Sequence, residues 1–565
     1  MTLFRTPRTE ADVHVLSNKL RGALLAAITL LARLGDRWIR PFERAAARFA
    51  TRKRVVILCL GGAALGARLL LLPAVHTPVP AIHDEFSYLL AADTFAHGRL
   101  TNPPHPMSIY FDTFHVLQKP TYASKYPPAP GAAMALGQVF GHPWLGVLLT
   151  LAATVMAMTW MFQGWFPPAW ALLGGVLTLL HLGLLNPWME NFYNTSIGTL
   201  GAALVLGAFP RIVRFADLRA GILMGMGAII LAASRPVEGL LFCIPVGIFL
   251  LIEYSSRPKF RFAAAFPRIV LSVAIIAGIG LSFLAYYNWR VTGSALLFPY
   301  TLYHQRYFNY PAFAWHTVRP PLHYGNPQFE SFFNDWHRTN YPLTWGGWKH
   351  RSEQVFWFWW HVYLGRVLTV PFLTAYRVIR DHRMRLPVFQ FAFCFLGFLA
   401  IVWFQPNYAA PLAATVYLLL VQAMRHLRQV RLLGQPIGGF LTRIVVILAV
   451  NWVVVQAFHH FLNPARDWSM ERVQITARLQ AQPGRHLIIV RYKPTHNPHH
   501  EWVYNAADID DAKVVWARDI PGIDLQPLLD YFKERQVWLL DADGFHPQLQ
   551  PFGDDSIHEV GSPQP

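Results

Sequence analysis

Long apolar runs alternate with short basic clusters along most of the chain. The runs are about 16 to 22 residues long, which is close to the length that an α-helix needs to cross a hydrocarbon core of about 30 Å. The pattern therefore predicts an α-helical, polytopic membrane protein with about eleven transmembrane helices. The predicted spans are residues 55–73, 143–163, 167–187, 194–210, 219–234, 237–254, 269–289, 355–376, 386–404, 408–424 and 440–460.

The basic clusters set the predicted orientation of these spans. Residues 1–54 contain twelve Lys and Arg residues, and four later clusters separate spans. Cytoplasmic loops carry an excess of Lys and Arg, so all five basic regions are expected on the cytoplasmic side. An N-terminus inside and a C-terminus outside satisfy this rule with eleven spans. The four clusters are RIVRFADLR (211–219), RPKFRFAAAFPR (257–268), RVIRDHRMR (377–385) and RHLRQVRLLGQPIGGFLTR (425–443).

One apolar segment, YPPAPGAAMALGQVFG (126–141), is predicted not to span the membrane. Its 16 residues would extend only about 24 Å as a helix, and it contains three prolines and three glycines. A crossing at this point would also move every later basic cluster to the outside. The segment is therefore predicted to be a juxtamembrane or re-entrant element on the outer side.

The pattern divides the chain into three parts. Residues 1–54 form a basic cytoplasmic region, in which ALLAAITLLARL (23–34) is predicted to be an interfacial amphipathic helix. Residues 55–462 form the transmembrane domain, with outer loops at 74–142 and 290–354. Residues 463–565 are predicted to form a small extracytoplasmic α/β domain, with strands in RHLIIVRY, AKVVWAR and VWLLDAD and a helix in LQPLLDYFKERQ.

Composition supports the membrane class. The 565 residues are 54% hydrophobic and only 14% charged, against about 25% charged residues in soluble proteins. The net charge is +18, and the basic residues lie in short clusters between the predicted spans. Their placement therefore indicates the orientation of the protein in the membrane and argues against a nucleic-acid partner.

The spans contain few ionisable side chains, and the exceptions fall at outer ends. Such a set suits a lipid-linked sugar phosphate, whose phosphate would lie at headgroup level. Transfer of the sugar needs a carboxylate to take a proton from the acceptor, and cations or a metal to stabilise the departing phosphate. The outer-end set comprises Arg68, Asp84, Glu85, Lys125, Glu190, Arg235 and Glu238.

The first outer loop resembles a known family. HDEFSYLLAADTFAHGRL (83–100) after the first span, followed by KYPP (125–128), resembles the GT-C integral-membrane glycosyltransferases, notably the protein O-mannosyltransferases and the lipid A aminoarabinose transferases. SRPVEGL (234–240) and YNWRVTGSALLFPY (287–300) resemble segments of bacterial family 39 members. The resemblance covers roughly residues 55–430.

The resemblance implies an inverting transfer from a polyprenyl-phosphate sugar on the outer side of a bacterial inner membrane. Asp84 matches the acidic catalytic residue and Glu85 its acidic neighbour, while Lys125 matches a position that contacts the donor phosphate. Arg235 and Arg68 are further candidates for the phosphate by charge and depth. The acceptor, whether glycan, lipid or protein, is not implied.

The resemblance also implies that a divalent metal ion can take part, held by a carboxylate and a loop histidine. Glu85 is the candidate carboxylate, and no spacing selects among the outer histidines. The candidate histidines are His83, His105, His115, His304 and His323. The C-terminal THNPHHEW (495–502) does not match a common zinc spacing and is predicted to be a solvated loop.

Structural roles remain open for the same residues. Asp84 and Glu85 could simply favour a helix N-terminus, Lys125 could anchor the interface, and Arg235 could pair with Glu238 at i and i+3.

Two other functions of the protein also remain open. One is a lipid or glycan flippase or transporter with an outer binding domain, and the other is a ligase or polymerase of lipid-linked glycans that would use the loop 290–354.

Overall fold

The structure is a computed structural model that describes residues 38–256, 260–432, 434–463, 468–544 and 547–553. These residues are mostly helical, with a two-stranded ribbon and a four-stranded sheet. The amphipathic helix predicted at 23–34 lies outside the described residues.

The helices follow the apolar pattern closely. Helix α1 covers residues 38–50. The following helices are α2 (Lys53–Leu70), α3 (His83–Ala96), α4 (Pro128–Val139), α5 (Pro143–Trp165), α6 (Pro168–His181), α7 (Pro187–Glu190), α8 (Ser196–Phe215), α9 (Leu218–Ala232), α10 (Pro236–Ser256), α11 (Phe260–Thr292), α12 (Pro299–Tyr307), α13 (Pro327–Phe329), α14 (His337–Asn340), α15 (Trp345–Tyr363), α16 (Gly365–Thr369), α17 (Ala375–Arg380), α18 (Arg385–Phe398), α19 (Ala410–Leu427), α20 (Gly438–Leu462), α21 (Trp468–Ala481) and α22 (Gln526–Tyr531).

Six helices within the described residues are long and apolar enough to cross a membrane, or seven if a bent pair counts as one span. Helices α6 and α9 are apolar but shorter; the 14 residues of α6 would extend only about 21 Å. A helix lies at each of the eleven predicted positions, and eleven crossings stay a prediction. The six segments are Pro143–Trp165, Ser196–Phe215, Pro236–Ser256, Ala264–Thr292, Pro406–Leu427 and Gly438–Leu462.

The span predicted at 355–376 is not a continuous helix. Residues Trp345–Tyr363 and Gly365–Arg380 form two arms bent by 99°. Gly365 lies at the bend with a φ of 61°, a conformation that glycine adopts without steric cost. The apolar pattern continues through the bend, so periodicity alone gives no signal for it.

Contacts between distant segments define two ends of the helical bundle. At one end, the first loop meets the loop after α11, where the backbone N–H of His115 donates to the Tyr303 hydroxyl over 2.7 Å. At the other end, Glu43 of α1 pairs with Arg428 and Arg443. The predicted outer regions therefore share one end, and basic regions share the other.

The C-terminal sheet packs against the first of these ends. Its strands are β3 (His486–Arg491), β4 (Val514–Arg518), β5 (Gln536–Asp541) and β6 (Leu549–Pro551), in the order β4-β3-β5-β6. Strand β3 is parallel to β4 and β5, and β6 is antiparallel to β5. The three predicted strands are present, and the predicted helix is shortened to α22.

A shared core holds this sheet on the first loop. Phe86 of α3 stacks on Tyr504 with ring centroids 4.2 Å apart, and buried residues of both regions form one apolar cluster. The backbone N–H of Ala507 donates to the Asp93 carboxylate over 2.7 Å. The C-terminal region is thus packed directly behind helix α3, whose first turn contains Asp84.

The segment 126–141 forms the short helix α4, and its position outside the membrane core stays a prediction. The helix has only 12 residues and lies between α3 and α5. A Cβ atom at Gly146 of α5 would lie 2.1 Å from the carbonyl oxygen of Ala133, and one at Gly131 would lie 2.7 Å from the Ala91 Cβ. Glycine therefore lets three backbones approach closely and fixes the segment that follows Lys125 and Tyr126.

Candidate functional site

Asp84 lies in the first turn of α3, at the end of the bundle that faces the C-terminal sheet. Ile82 is the extended N-cap residue of this helix. The Oδ1 atom of Asp84 accepts a 2.5 Å hydrogen bond from the Tyr126 hydroxyl and lies 3.1 Å from Nε2 of His115. The carboxylate is therefore held by two side chains from the segment between α3 and α4.

A short β-ribbon brings His115 and Lys125 together. Strands β1 (Val116–Leu117) and β2 (Ala123–Ser124), which precede β3 in the chain, are antiparallel, with Val116 opposite Ser124. This register places His115 beside Lys125, and Nδ1 of His115 lies 2.9 Å from the Lys125 Nζ. His115 has a φ of 66°, a left-handed conformation that costs energy in a non-glycine residue and often marks a functional site.

Ser87 fastens the ribbon to α3. Its hydroxyl donates to the carbonyl oxygen of His115 over 2.6 Å and lies 2.8 Å from the Ser124 hydroxyl. Ser87 follows Asp84 by three residues, so both side chains lie on the same face of the helix. One helical face thus positions the carboxylate and the imidazole together.

The three groups form a chain of hydrogen bonds, Asp84–His115–Lys125. An ammonium group can only donate, so Nδ1 of His115 accepts from Lys125 and Nε2 donates to Asp84. The imidazole is then neutral, which agrees with its pKa: burial and the charge of Lys125 lower it to about 4. The chain therefore connects a carboxylate to an ammonium through a neutral ring.

Burial and mutual attraction set the charges of the two ends. Burial opposes ionisation of Asp84, but the His115 hydrogen bond and the Lys125 charge outweigh it, so the Asp84 pKa is lowered. Burial lowers the pKa of Lys125 to about 7, against the raising effect of Asp84. Four aromatic rings surround the ammonium at 4.9–5.5 Å, which favours its charged form. These rings belong to Tyr126, Tyr300, Tyr303 and Phe308.

A cavity of about 590 Å³ adjoins this chain. Lys125 and Tyr126 form one wall, and Arg235 and Glu238 contribute from the turn that begins α10. Part of the remaining wall is apolar and comes from α10, α11 and the loop before α12. The volume is within the range of small-molecule sites, and it lies within one hydrogen bond of Asp84.

Several polar groups at this cavity have no partner. Among the described residues, no hydrogen bond or ion pair reaches the Arg235 guanidinium, which stacks on Tyr408 at 5.1 Å. The hydroxyl of Tyr88 and Nε2 of His304 are also buried without a hydrogen bond, and both residues line the cavity. Unpaired buried donors are costly, so this wall is suited to an anion with several acceptor oxygens.

The direct ion pair that Arg235 could make with Glu238 is not formed among the described side chains, although both residues line the cavity. Each is less than 10% exposed. Arg235 therefore contributes to the cavity wall without a hydrogen bond to the acid three residues later.

Glu85, next to Asp84 in sequence, lies in different surroundings. Its Oε1 accepts from the backbone N–H of Phe192 over 3.2 Å, and its Oε2 accepts from that of Ala81 over 3.0 Å. Burial raises its pKa to about 7 despite these bonds. The contacts fit the alternative of a carboxylate that satisfies backbone donors, and a catalytic role for Glu85 stays a prediction.

The metal expectation finds no support in the geometry around Glu85. Both carboxylate oxygens are occupied by backbone N–H groups, and the described part of the chain holds no cluster of three or more His, Cys, Asp or Glu side chains arranged for a metal. The described residues around Glu85 therefore do not fit a metal ion.

Arg68 is fully engaged in the interior. It pairs with Glu190, donates to the carbonyl oxygens of Val75 and His76 over 2.9 and 3.0 Å, and lies over the Trp144 ring. Arg68 has no exposed surface and is not part of the cavity wall. It joins the end of α2 to α7, which is a structural task, and its phosphate role stays a prediction.

The structure distinguishes among the histidine candidates. His115 contacts Asp84 and Lys125, and His304 lines the cavity, whereas His83 meets the Tyr504 hydroxyl at 2.9 Å. His105 lies 3.1 Å from Asp510, and the exposed His323 lies 3.6 Å from Glu330. No sequence spacing indicated His115, since its position depends on the ribbon register.

The prediction of a solvated loop at 495–502 is wrong in part. His496 is buried, with Nδ1 2.7 Å from Asp543 and Nε2 3.0 Å from the carbonyl oxygen of His500. The His499 ring lies 5.7 Å from His83 and 5.1 Å from Trp336. The contact with the first loop orders this segment, and that contact comes from a part of the chain about 400 residues away.

No protein-family model matches the sequence, and curated proteins give no significant sequence match. Among solved structures, the chain is similar to ArnT from Cupriavidus metallidurans bound to undecaprenyl phosphate, with 14% identity, 86% of this chain and 93% of ArnT covered, and a TM-score of 0.46. It is also similar to the Archaeoglobus fulgidus oligosaccharyltransferase in complex with Zn and sulfate, with 10% identity, 77% and 60% coverage, and a TM-score of 0.43.

The buried pair of Arg68 and Glu190 generates a test of its structural task. Arg68→Ala leaves a buried carboxylate without its cation, which costs about 3–5 kcal/mol. We expect a clearly lower unfolding temperature of the purified protein in detergent. The double variant Arg68→Met/Glu190→Met should recover much of the loss because it removes both charges. Unchanged stability of Arg68→Ala, together with lost binding of a lipid phosphate, would contradict the assignment.

Proposed function

We propose that this protein is a membrane glycosyltransferase that moves a sugar from a polyprenyl-phosphate donor to an acceptor on the outer face of a bacterial inner membrane. The observation that carries the proposal is the pairing of an anion-suited cavity with a partly buried carboxylate. Arg235 and Lys125 face the cavity, and Lys125 is joined through His115 to Asp84. The sequence resemblance of this loop to GT-C enzymes supports the same reaction.

The donor phosphate is assigned to the wall with unpaired donors. Arg235 offers a planar set of N–H groups that matches phosphate oxygens, and the Tyr88 hydroxyl offers another donor. The apolar wall, which includes Val237, Leu284 and Phe298, suits the first prenyl units. A polyprenyl phosphate thus satisfies both kinds of surface that the cavity presents.

The chemistry is a single displacement at the anomeric carbon. The acceptor hydroxyl or amine forms a bond to that carbon as the bond to the phosphate oxygen breaks, and configuration is inverted. The electron pair leaves on the polyprenyl phosphate, whose charge Lys125 and Arg235 stabilise. The acceptor proton passes to Asp84, which its low pKa keeps ionised.

Donor binding also prepares the base. The Lys125 charge lowers the Asp84 pKa in the free protein. A phosphate close to Lys125 offsets that charge, so the Asp84 pKa rises and the carboxylate becomes a stronger base. The hydrogen bond from His115 keeps the carboxylate oriented during this change. The same ammonium therefore couples donor binding to proton acceptance.

The donor site is tested by binding of undecaprenyl phosphate to the purified protein. Arg235→Gln removes charge-assisted hydrogen bonds worth about 1.5–3 kcal/mol, so we expect the Kd to rise about tenfold to hundredfold. Arg290→Gln is the matched control, because Arg290 is exposed at the end of α11 and does not line the cavity. Equal affinity of the two variants would contradict the donor site.

The base is tested by comparing two adjacent carboxylates. Asp84→Asn retains an acceptor for the Tyr126 hydroxyl but not a base, so we expect turnover to fall about 10²–10⁴-fold. Glu85→Gln should keep most of the turnover, because its partners are backbone N–H groups. The measurement is the release of polyprenyl phosphate from endogenous lipid-linked sugars in isolated membranes, normalised to the amount of folded enzyme.

A full rate in Asp84→Asn would remove the base assignment. An equal loss in folded Glu85→Gln would instead restore Glu85 as a catalytic residue. Donor binding by Asp84→Asn, measured with undecaprenyl phosphate, should be retained, since Arg235 and Tyr88 are unchanged.

A further inference from the structure

A second large cavity lies at the opposite end of the bundle. It is a groove of about 800 Å³ between α1, the first turns of α6 and the first turns of α20. The donor cavity is at the other end of α5, whose 23 residues extend about 34 Å. The groove therefore has no part in the proposed sugar transfer.

Basic side chains occupy the rim of this groove. Arg40 and Arg44 come from α1, Arg428 from the segment before α20, and Arg443 from the first turns of α20. Among the described lining residues Glu43 is the only acid, and its carboxylate is bound at 3.0–3.3 Å by Arg428 and Arg443. The described part of the lining therefore carries an excess of positive charge, which complements an anion.

The ion pairs of Glu43 with Arg428 and Arg443 also hold α1 in place. Glu43 joins this helix to the segment before α20 and to the first turns of α20 itself. Arg44 is the next residue and lies on the exposed side of the helix. The arginine is thus presented at the groove by a helix that is fixed independently of it.

The floor of the groove is apolar. Trp170, Leu173, Val446 and Ile447 line it, and Ile447 is 55% exposed. On α1, Trp38 and Phe42 are 70% and 76% exposed, as expected for aromatic side chains at a membrane interface. A small anion would satisfy the rim and leave this floor uncovered, whereas a lipid would cover both.

We propose that the groove binds one anionic phospholipid, with its phosphate at Arg44 and an acyl chain on the floor between α6 and α20. The charge of the rim requires an anionic headgroup, and the apolar floor requires a hydrocarbon chain. The position of the basic rim at the predicted cytoplasmic end matches the leaflet in which anionic lipids attract arginine.

The test is lipid retention by the purified full-length protein in detergent, measured by native mass spectrometry. Dioleoyl phosphatidylglycerol and dioleoyl phosphatidylcholine are supplied at equal mole fractions. We expect phosphatidylglycerol to be retained preferentially. Arg44→Gln should lower its retention about fivefold, the effect of one arginine near an anionic lipid. Ile447→Trp should also lower retention by filling the floor.

Arg48→Gln is the matched control. Arg48 is exposed on the same helix one turn later but does not line the groove, so its loss should leave retention unchanged. Equal retention of the two lipids, or equal losses in Arg44→Gln and Arg48→Gln, would overturn the proposal. Cross-linking that places residues 23–34 in the groove would also overturn it.

Discussion

The candidate site depends on one constraint, which is that a partly buried carboxylate and a buried ammonium are kept together. Isolated charges in such surroundings are strongly disfavoured, so Asp84 and Lys125 are tolerable only because His115 connects them. The rest of the local structure serves this connection. Helix α3 supplies Asp84, the β-ribbon sets the distance from His115 to Lys125, and aromatic rings of α12 enclose the ammonium. An anion that enters the adjoining cavity changes the balance of the whole chain of hydrogen bonds.

Two arginines at the same end of the bundle show how partners decide a role. Arg68 donates to Glu190 and to two carbonyl oxygens, so its hydrogen-bonding capacity serves the fold. No hydrogen bond or ion pair reaches the Arg235 guanidinium among the described residues, and it lies over the Tyr408 ring at the cavity wall. Both residues are arginines, so their chemistry is the same. The difference in unsatisfied donors separates a structural cation from one that is available to a phosphate.

The sequence was informative where local chemistry determines the structure. Apolar length located the helices, and the short segment rich in proline and glycine at 126–141 forms only the 12-residue helix α4. The HDEF and KYPP motifs also placed Asp84 and Lys125 in one loop. The sequence could not select His115, because the position of His115 depends on the register of the β-ribbon. Nor could it separate Asp84 from Glu85, whose side chains point about 100° apart on a helix. It also missed the bend at Gly365 and the packing of residues 495–502 on α3, because both depend on tertiary contacts.

The most direct test of the central claim is mass spectrometry of lipid extracts and cell-envelope glycans from a strain that lacks this protein. If Arg235, Lys125 and Asp84 form the site of sugar transfer from a lipid phosphate, one polyprenyl-phosphate sugar should accumulate. One glycan residue should be missing from the envelope at the same time, and the wild-type gene should restore both. Unchanged lipid-linked sugars together with an unchanged glycan profile would contradict the account.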